Sequence, residues 1–240
     1  MINKIKLSVI IATYKRTDKL KQCLRSLEQA NFSEPFEIIV VDDGGKLTRE
    51  LRKDFLKLNI HWIYLDKNIG QPAAQSVGIR SAVGEIYAFL DDDAIVNSNW
   101  LLEIISYFEK HPDIGSILGR IEPLDSTYLL SRTRQQIYDK RHNLYTNQEF
   151  IDSLKNKYQL KINSSVYLSD HISGGNFAIR KHSLEKIGGL AVDLKLGSDT
   201  VVSNKLLSAG IAIGYNEKMI IYHAHNTSYG ILFKNSFLEG

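Results

Sequence analysis

A single cysteine, the absence of any apolar run approaching the roughly 20 residues of a membrane span, and a near balance of charge narrow the field first. Cys23 on its own excludes an internal disulfide framework and fits a reducing compartment. Thirty Lys and Arg against 27 Asp and Glu leave a net charge of +3, too mild for a nucleic-acid partner. No G-x-x-x-x-G-K-[ST] occurs, and no G-x-G-x-x-G follows the first strand, so ordinary NTPase and dinucleotide readings are weak. The start, Met1 to Lys6, runs into a strand-like segment without the apolar core and cleavage site of a signal peptide. The expectation is a cytoplasmic protein, with peripheral association at the inner face of a membrane left open. There is no repeat and no low-complexity tract.

What is present is a chain of 240 residues, 43% hydrophobic, ample for one core with a small appended lobe. Apolar, β-branched runs over 7–12, 36–41, 61–65, 86–90 and 114–118 read as strands. Between them lie helical patterns. Leu20, Cys23, Leu24 and Leu27 follow i, i+3, i+4, i+7 behind a Thr17 or Asp18 cap, and further helices are expected over 47–58, 73–83 and 97–110. A last strand covers 219–222. This alternation predicts an α/β fold, a mainly parallel sheet with helices on both faces. The alternation lapses over 122–170, where bases and aromatics mix (Arg132, Tyr138, Arg141, Tyr145). That stretch reads either as paired solvated helices or as a variable lobe that meets an acceptor or a membrane surface.

Three of the predicted strands end in polar clusters: Thr13-Tyr14, Asp42-Asp43 and Asp91-Asp92-Asp93. In a parallel sheet those ends share one edge, where open α/β sheets bind ligands. Adjacent carboxylates repel and each needs solvent, a donor or a cation. In extended backbone residues i and i+2 share a face, so Asp91 and Asp93 can converge while Asp92 points elsewhere. The pattern suits Mg²⁺ or Mn²⁺ holding a diphosphate; a solvated acidic turn is the plain alternative.

With these segments in order, the chain resembles family 2 of the GT-A glycosyltransferases, inverting enzymes that use nucleotide-sugars. The resemblance rests on 8–16 (Ser-Val-Ile-Ile-Ala-Thr-Tyr-Lys-Arg), Val40-Val41-Asp42-Asp43-Gly44, Asn68-x-Gly70 with Gly78, 89–93, Gly174-Gly175-Asn176-Phe177-Ala178 and Gly188-Gly189-Leu190. It implies a single GT-A, Rossmann-like domain over 1–240, with a donor-binding part at 1–121 and an acceptor and catalytic-base part at 122–240 that carries a small variable acceptor lobe. It implies that Thr13, Tyr14 and Asp43 hold the base, with Arg16, Asn68, Gly70 and Asp92 also on the donor side. Asp91 binds ribose or metal and Asp93 binds metal. A histidine after the last strand, His223 or else His225, completes the metal shell. Gly174, Gly175, Asn176 and Ser198 line the sugar and acceptor site, and Asp199 is the general base. Two positions depart from the family pattern: Gln75 stands for an Arg and Ser198 for a Glu.

The implied cofactor is Mn²⁺ or Mg²⁺. The implied partners are a nucleotide diphosphate-sugar, with UDP favoured as the nucleotide, and a saccharide, lipid-linked or other hydroxyl acceptor. A nucleotidyltransferase is the runner-up, disfavoured by the lack of glycine in the first loop. A non-catalytic nucleotide-sugar-binding subunit is the third reading.

Overall fold

The computed structural model describes residues 5–125, 129–163, 165–194 and 197–223. Strand β1 (Leu7–Thr13) is buried along its whole length, as an apolar strand covered on both faces must be. β2 (Phe36–Asp42), β3 (Ile60–Tyr64) and β4 (Ile86–Leu90) join it in parallel in the order β3-β2-β1-β4. Helix α1 (Thr17–Glu28) buries Leu20, Cys23, Leu24 and Leu27, the four positions its periodicity marks. Helix α2 (Gln71–Ser81) lies on β1 and β2. Its Gly78 sits so close that a Cβ would meet Ile10, Val41 and Ile39 at 3.0, 3.2 and 3.4 Å.

Beyond β4 come β5 (Ala94–Val96), α3 (Trp100–Lys110), β6 (Ile114–Pro123), α4 (Leu129–Tyr145) and α5 (Gln148–Tyr158). They are followed by β7 (Leu168–Ser169), β8 (Asn176–Arg180), α6 (Lys181–Lys186), α7 (Ser198–Ser208) and β9 (Ala212–His223). β8 enters antiparallel between β4 and β6, and β9 runs parallel to β6 but antiparallel to β5 and β7. The sheet order is β3-β2-β1-β4-β8-β6-β9-β5, with β7 paired to β9. Strands from both parts of the chain therefore build one α/β sheet, as the sequence predicts.

Three elements differ from expectation. The helix expected over 47–58 is a 3₁₀ segment, Arg49–Phe55. The Asp42 carboxylate accepts the N–H groups of Gly45 and Leu47 at 2.7 and 2.6 Å and fixes that stretch as a turn, so little chain remains for helix. Leu47, Leu51 and Phe55 are buried all the same. β5 is too short to show a period, and the first half of β9 is masked in the sequence by Gly214, Asn216, Glu217 and Lys218. The irregular 122–170 stretch contains the helix pair α4 and α5, yet it is not merely solvated: Tyr145 is buried against Leu118 and Tyr215. No helix among the described residues is long and apolar enough to cross a membrane.

Candidate active site

β1 and β4 run parallel with Ile10 level with Phe89. Three residues further on, Thr13 Oγ1 donates to Asp92 Oδ2 at 2.7 Å, and Arg16 Nη1 donates to Asp92 Oδ1 at 3.0 Å. Asp92 is buried, and its carboxylate pins the β1–α1 loop to the end of β4. Its oxygens are taken by Thr13 and Arg16, whereas Asp91 and Asp93 both approach His223, a division that matches the i, i+2 pairing. The backbone that achieves this is a turn rather than an extended strand: Ala94 N–H donates to the Asp91 carbonyl at 3.2 Å.

That turn feeds β5, which pairs with β9 so that Ala94 lies level with His223. The register brings the imidazole onto the acids. His223 Nε2 is 2.9 Å from Asp93 Oδ1 and 3.7 Å from Asp91 Oδ2. One ligand atom from each of Asp91, Asp93 and His223 lies within 4.8 Å of the others. Lys19 Nζ approaches Asp93 Oδ2 at 3.1 Å, and Gln71 Nε2 donates to Asp91 Oδ1 at 2.8 Å. Burial by itself would raise the Asp93 carboxyl, but hydrogen bonding and charge from His223 and Lys19 hold it well below the usual carboxylate range. Burial would likewise lower His223; hydrogen bonds and charge from Asp91 and Asp93 overcome it and push the imidazole up to about 9. Asp93 thus draws positive charge from His223, Lys19 and Arg16, while Asp91 has His223 and the neutral Gln71 amide. Two carboxylates and one imidazole, converging on one point, are a donor set that fits Mn²⁺ or Mg²⁺. His225 lies outside the described residues.

β8 runs antiparallel to β4 with Asn176 level with Leu90, so the glycine pair before it crosses in front of Asp91. A Cβ on Gly175 would collide with the Asp91 carboxylate, so any side chain there would displace that group. Gly174 N–H donates to Asp199 Oδ2 at 2.8 Å. Asp199 stands in the first turn of α7, whose N-cap is Gly197, and Ser198 beside it is buried. Burial pushes the Asp199 carboxyl up; the Gly174 N–H opposes this, and the nearby Asp91 charge adds to it. Asp199 and the Asp91–Asp93–His223 cluster are therefore neighbours, separated by two glycines.

The remaining sequence candidates are placed as follows. Both oxygens of buried Asp43 accept backbone N–H groups, from Ile69 at 2.7 Å and Gly70 at 3.0 Å, and so anchor the turn into α2. Gly70 has φ 92°, a conformation that suits glycine. Tyr14 is exposed, with Lys15 Nζ 5.0 Å from its ring centre, and Asn68 is exposed. Gln75 is buried with Nε2 unpaired. Asn176 is committed to the core. Its side chain is fully buried, accepting from Trp100 Nε1 at 2.9 Å and donating to the carbonyls of Arg120 and Met219 at 2.8 and 3.0 Å. It ties α3, β6, β8 and β9 together. Asn176→Ala should therefore unfold the protein more readily, by about 3 kcal/mol or more, because it strands a buried donor and two acceptors; urea titration measures this.

Sequence reasoning passed over Lys19 and Gln71. Lys19 lies one residue past Asp18, a cap candidate in the sequence that the structure places inside the first turn behind Arg16, and Gln71 directly follows the Asn68-x-Gly70 segment, so both stood beside recognised signals.

The family model of glycosyl transferase family 2 matches residues 8–188. The glycosyltransferase AglE of Haloferax volcanii is 25% identical over 237 residues, 97% of this chain and 71% of that protein. The O-antigen chain rhamnosyltransferase RfbN of Salmonella typhimurium is 23% identical over 238 residues, 98% and 72% respectively. Among solved structures, the mannosyltransferase PcManGT of Pyrobaculum calidifontis, in complex with GDP-Man and Mn²⁺, is similar with a TM-score of 0.69 at 17% identity over 97% of this chain and 61% of that one. S. aureus TarS 1–349, in complex with UDP-GlcNAc, gives 0.68 at 19% identity over 93% and 60%. The chain thus spans about three fifths of these two structures, and the likeness establishes the GT-A fold. The family match takes in β1 through α6, with the three acids and the glycine pair inside it, and so this chain belongs to glycosyl transferase family 2 and is a glycosyltransferase.

Proposed function

We propose that the protein transfers a sugar, with inversion and with a divalent cation, from a nucleotide diphosphate-sugar to a hydroxyl acceptor. The observation that carries this reading is the convergence of Asp91, Asp93 and His223 at one sheet edge, with Asp199 beside them across Gly174-Gly175. Support also comes from the solved neighbours bound to GDP-Man with Mn²⁺ and to UDP-GlcNAc. A UDP-linked donor is the proposed one, held by residues of 1–121, with acceptor and base in 122–240. The cytoplasm is the proposed location.

In this reading Asp91, Asp93 and His223 hold Mn²⁺ or Mg²⁺, and Arg16 and Lys19 add positive charge on the donor side. When bound, the cation offsets the charge of the departing diphosphate. Asp199 removes the proton from the acceptor hydroxyl as that oxygen attacks C1 of the donor sugar. The C1–O bond to the diphosphate breaks on the opposite face, which inverts the configuration. Gly174 N–H occupies Asp199 Oδ2 and leaves Oδ1 for the incoming proton. Glycine at 174 and 175 keeps the space between base and acids clear of side chains.

UDP should stabilise the protein in the presence of Mn²⁺ and not in excess EDTA. At about 100 times its dissociation constant a ligand adds about 2.7 kcal/mol, which for a domain of this size raises Tm by about 5–10 °C. An equal shift in EDTA would remove the metal bridge from the proposal.

A further inference from the structure

Helix α4 reverses the usual pattern of a surface helix. Tyr138, His142 and Tyr145, at i, i+4, i+7, form its inward stripe: Tyr145 is buried, and His142 Nδ1 lies 3.1 Å from Tyr215 Oη. The outward stripe is Ile137, Lys140, Arg141 and Leu144, at i, i+3, i+4, i+7. Ile137 and Leu144 are 47% and 42% exposed, and Lys140 and Arg141 are exposed between them. Leu124, shortly before α4 and just past the end of β6, is exposed as well. A single exposed leucine is ordinary. Two large aliphatic side chains in line, with two bases between them, occupy a face that a helix normally gives to polar groups.

Charge concentrates in the same helix. Arg132, Arg134, Lys140 and Arg141 stand against Asp139 alone, which gives α4 a net charge of +3. That equals the net charge of the whole chain, so the rest of the sequence is neutral in sum. Asp139 accepts from Gln135 Nε2 at 2.8 Å and lies 3.9 Å from Arg120 Nη2, and the outward stripe itself contains no acid. A bare polyanion would pair with the bases and leave Ile137 and Leu144 in water. An apolar protein groove would bury the bases without partners. An anionic bilayer surface serves both, with phosphates for Lys140 and Arg141 and the acyl boundary for Ile137 and Leu144.

We infer that the outward face of α4 docks the protein on an anionic lipid surface, with Ile137 and Leu144 entering the headgroup layer. The inference stands apart from the proposed transfer chemistry and narrows the proposed location to a membrane face.

The test is co-flotation of the full chain with vesicles of phosphatidylglycerol and phosphatidylcholine in equal parts, or of phosphatidylcholine alone, without nucleotide or metal. The protein should float with the anionic vesicles and stay behind with the neutral ones. Lys140→Ala combined with Arg141→Ala should weaken binding about 25-fold, about fivefold for each charge removed. Ile137→Ser combined with Leu144→Ser should weaken it about tenfold. Lys53→Ala combined with Lys57→Ala removes the same charge from exposed positions near β3, at the opposite edge of the sheet from β6, and should leave binding within about twofold. Ile137→Trp gives a signal that does not depend on losing an interaction: its emission should move to the blue on anionic vesicles, beyond any change in the parent protein. No flotation, equal flotation with neutral vesicles, equal losses from the Lys53 and Lys57 changes, or no blue shift for Ile137→Trp would each overturn the assignment. Binding indifferent to the Ile137 and Leu144 changes would mark a purely electrostatic surface, as for a nucleic acid, and would overturn it too. Because no arm uses nucleotide or metal, failure here is separable from failure of UDP and Mn²⁺ to stabilise the fold.

Discussion

Asp93→Ala should erase the Mn²⁺-dependent stabilisation by UDP, about 5–10 °C in Tm under saturating conditions, whereas Asp92→Ala should retain it and weaken the fold. The two acids are adjacent in sequence and opposite in their commitments. Asp93 is ringed by His223, Lys19 and Arg16, at 2.9, 3.1 and 3.5 Å. Removing it leaves those cations facing one another with one carboxylate fewer, and a divalent ion has lost a ligand. Asp92 spends its oxygens on Thr13 and Arg16. Its loss strands the buried Thr13 hydroxyl, at about 1–3 kcal/mol, while half-exposed Arg16 returns to water. Asp93→Asn, close in size, guards against a packing artefact. Differential scanning fluorimetry of the three variants with UDP, in Mn²⁺ and in EDTA, decides the matter. Equal loss of metal dependence at Asp92 and Asp93 would show that the faces are misassigned. His223→Ala should weaken the metal response without removing it, since both carboxylates remain.

Much of this arrangement was legible because it rests on local periodicity and on charge. The four-residue apolar stripe of α1 and the unbroken burial of β1 follow from spacing and composition alone. Three acids after an apolar strand pointed to a strand-end site, and their i, i+2 relation separated Asp92 from the others even though the backbone there turns. His223 was legible only through resemblance: its meeting with Asp93 depends on the β5–β9 register, and β5 has three residues, too few to announce a strand. The hydrogen bonds of Asn176 were not legible at all. A polar residue in a family motif suggests ligand contact, but whether an amide faces a sugar or three buried partners is settled by tertiary packing. Asp43 is similar, since its carboxylate is engaged by the backbone of a loop 26 residues away. For Asp199, its place at the start of α7 predicts a carboxylate favoured by the helix N-terminus. In the fold, burial outweighs that effect and the carboxyl is pushed up.

That outcome bears on the largest expected effect, the loss of transfer in Asp199→Asn. A base whose proton affinity is raised above that of an ordinary carboxylate accepts the acceptor's proton more readily, provided that it is ionised at the working pH. Burial supplies this at Asp199, and the Gly174 N–H keeps the charged form accessible while fixing its direction. A hydroxyl is a poor nucleophile until its proton leaves, and a positioned general base contributes about 10²- to 10⁴-fold. Asparagine preserves size and, through its amide oxygen, can still accept from Gly174, but it cannot take the proton. Transfer should fall by that factor, while nucleotide affinity stays within about twofold, because the cluster of Asp91, Asp93 and His223 is untouched. The acid limb of the wild-type pH–rate profile should lie above the ordinary carboxyl value of 3.8 and should be missing from the residual activity of the variant. Transfer rate and nucleotide dissociation constant are to be measured side by side for both proteins. Transfer within about threefold of wild type, against the 10² floor for a general base, would take Asp199 out of the mechanism. Loss of nucleotide binding together with transfer would recast it as a residue that holds Gly174, and through it the glycine pair, against Asp91.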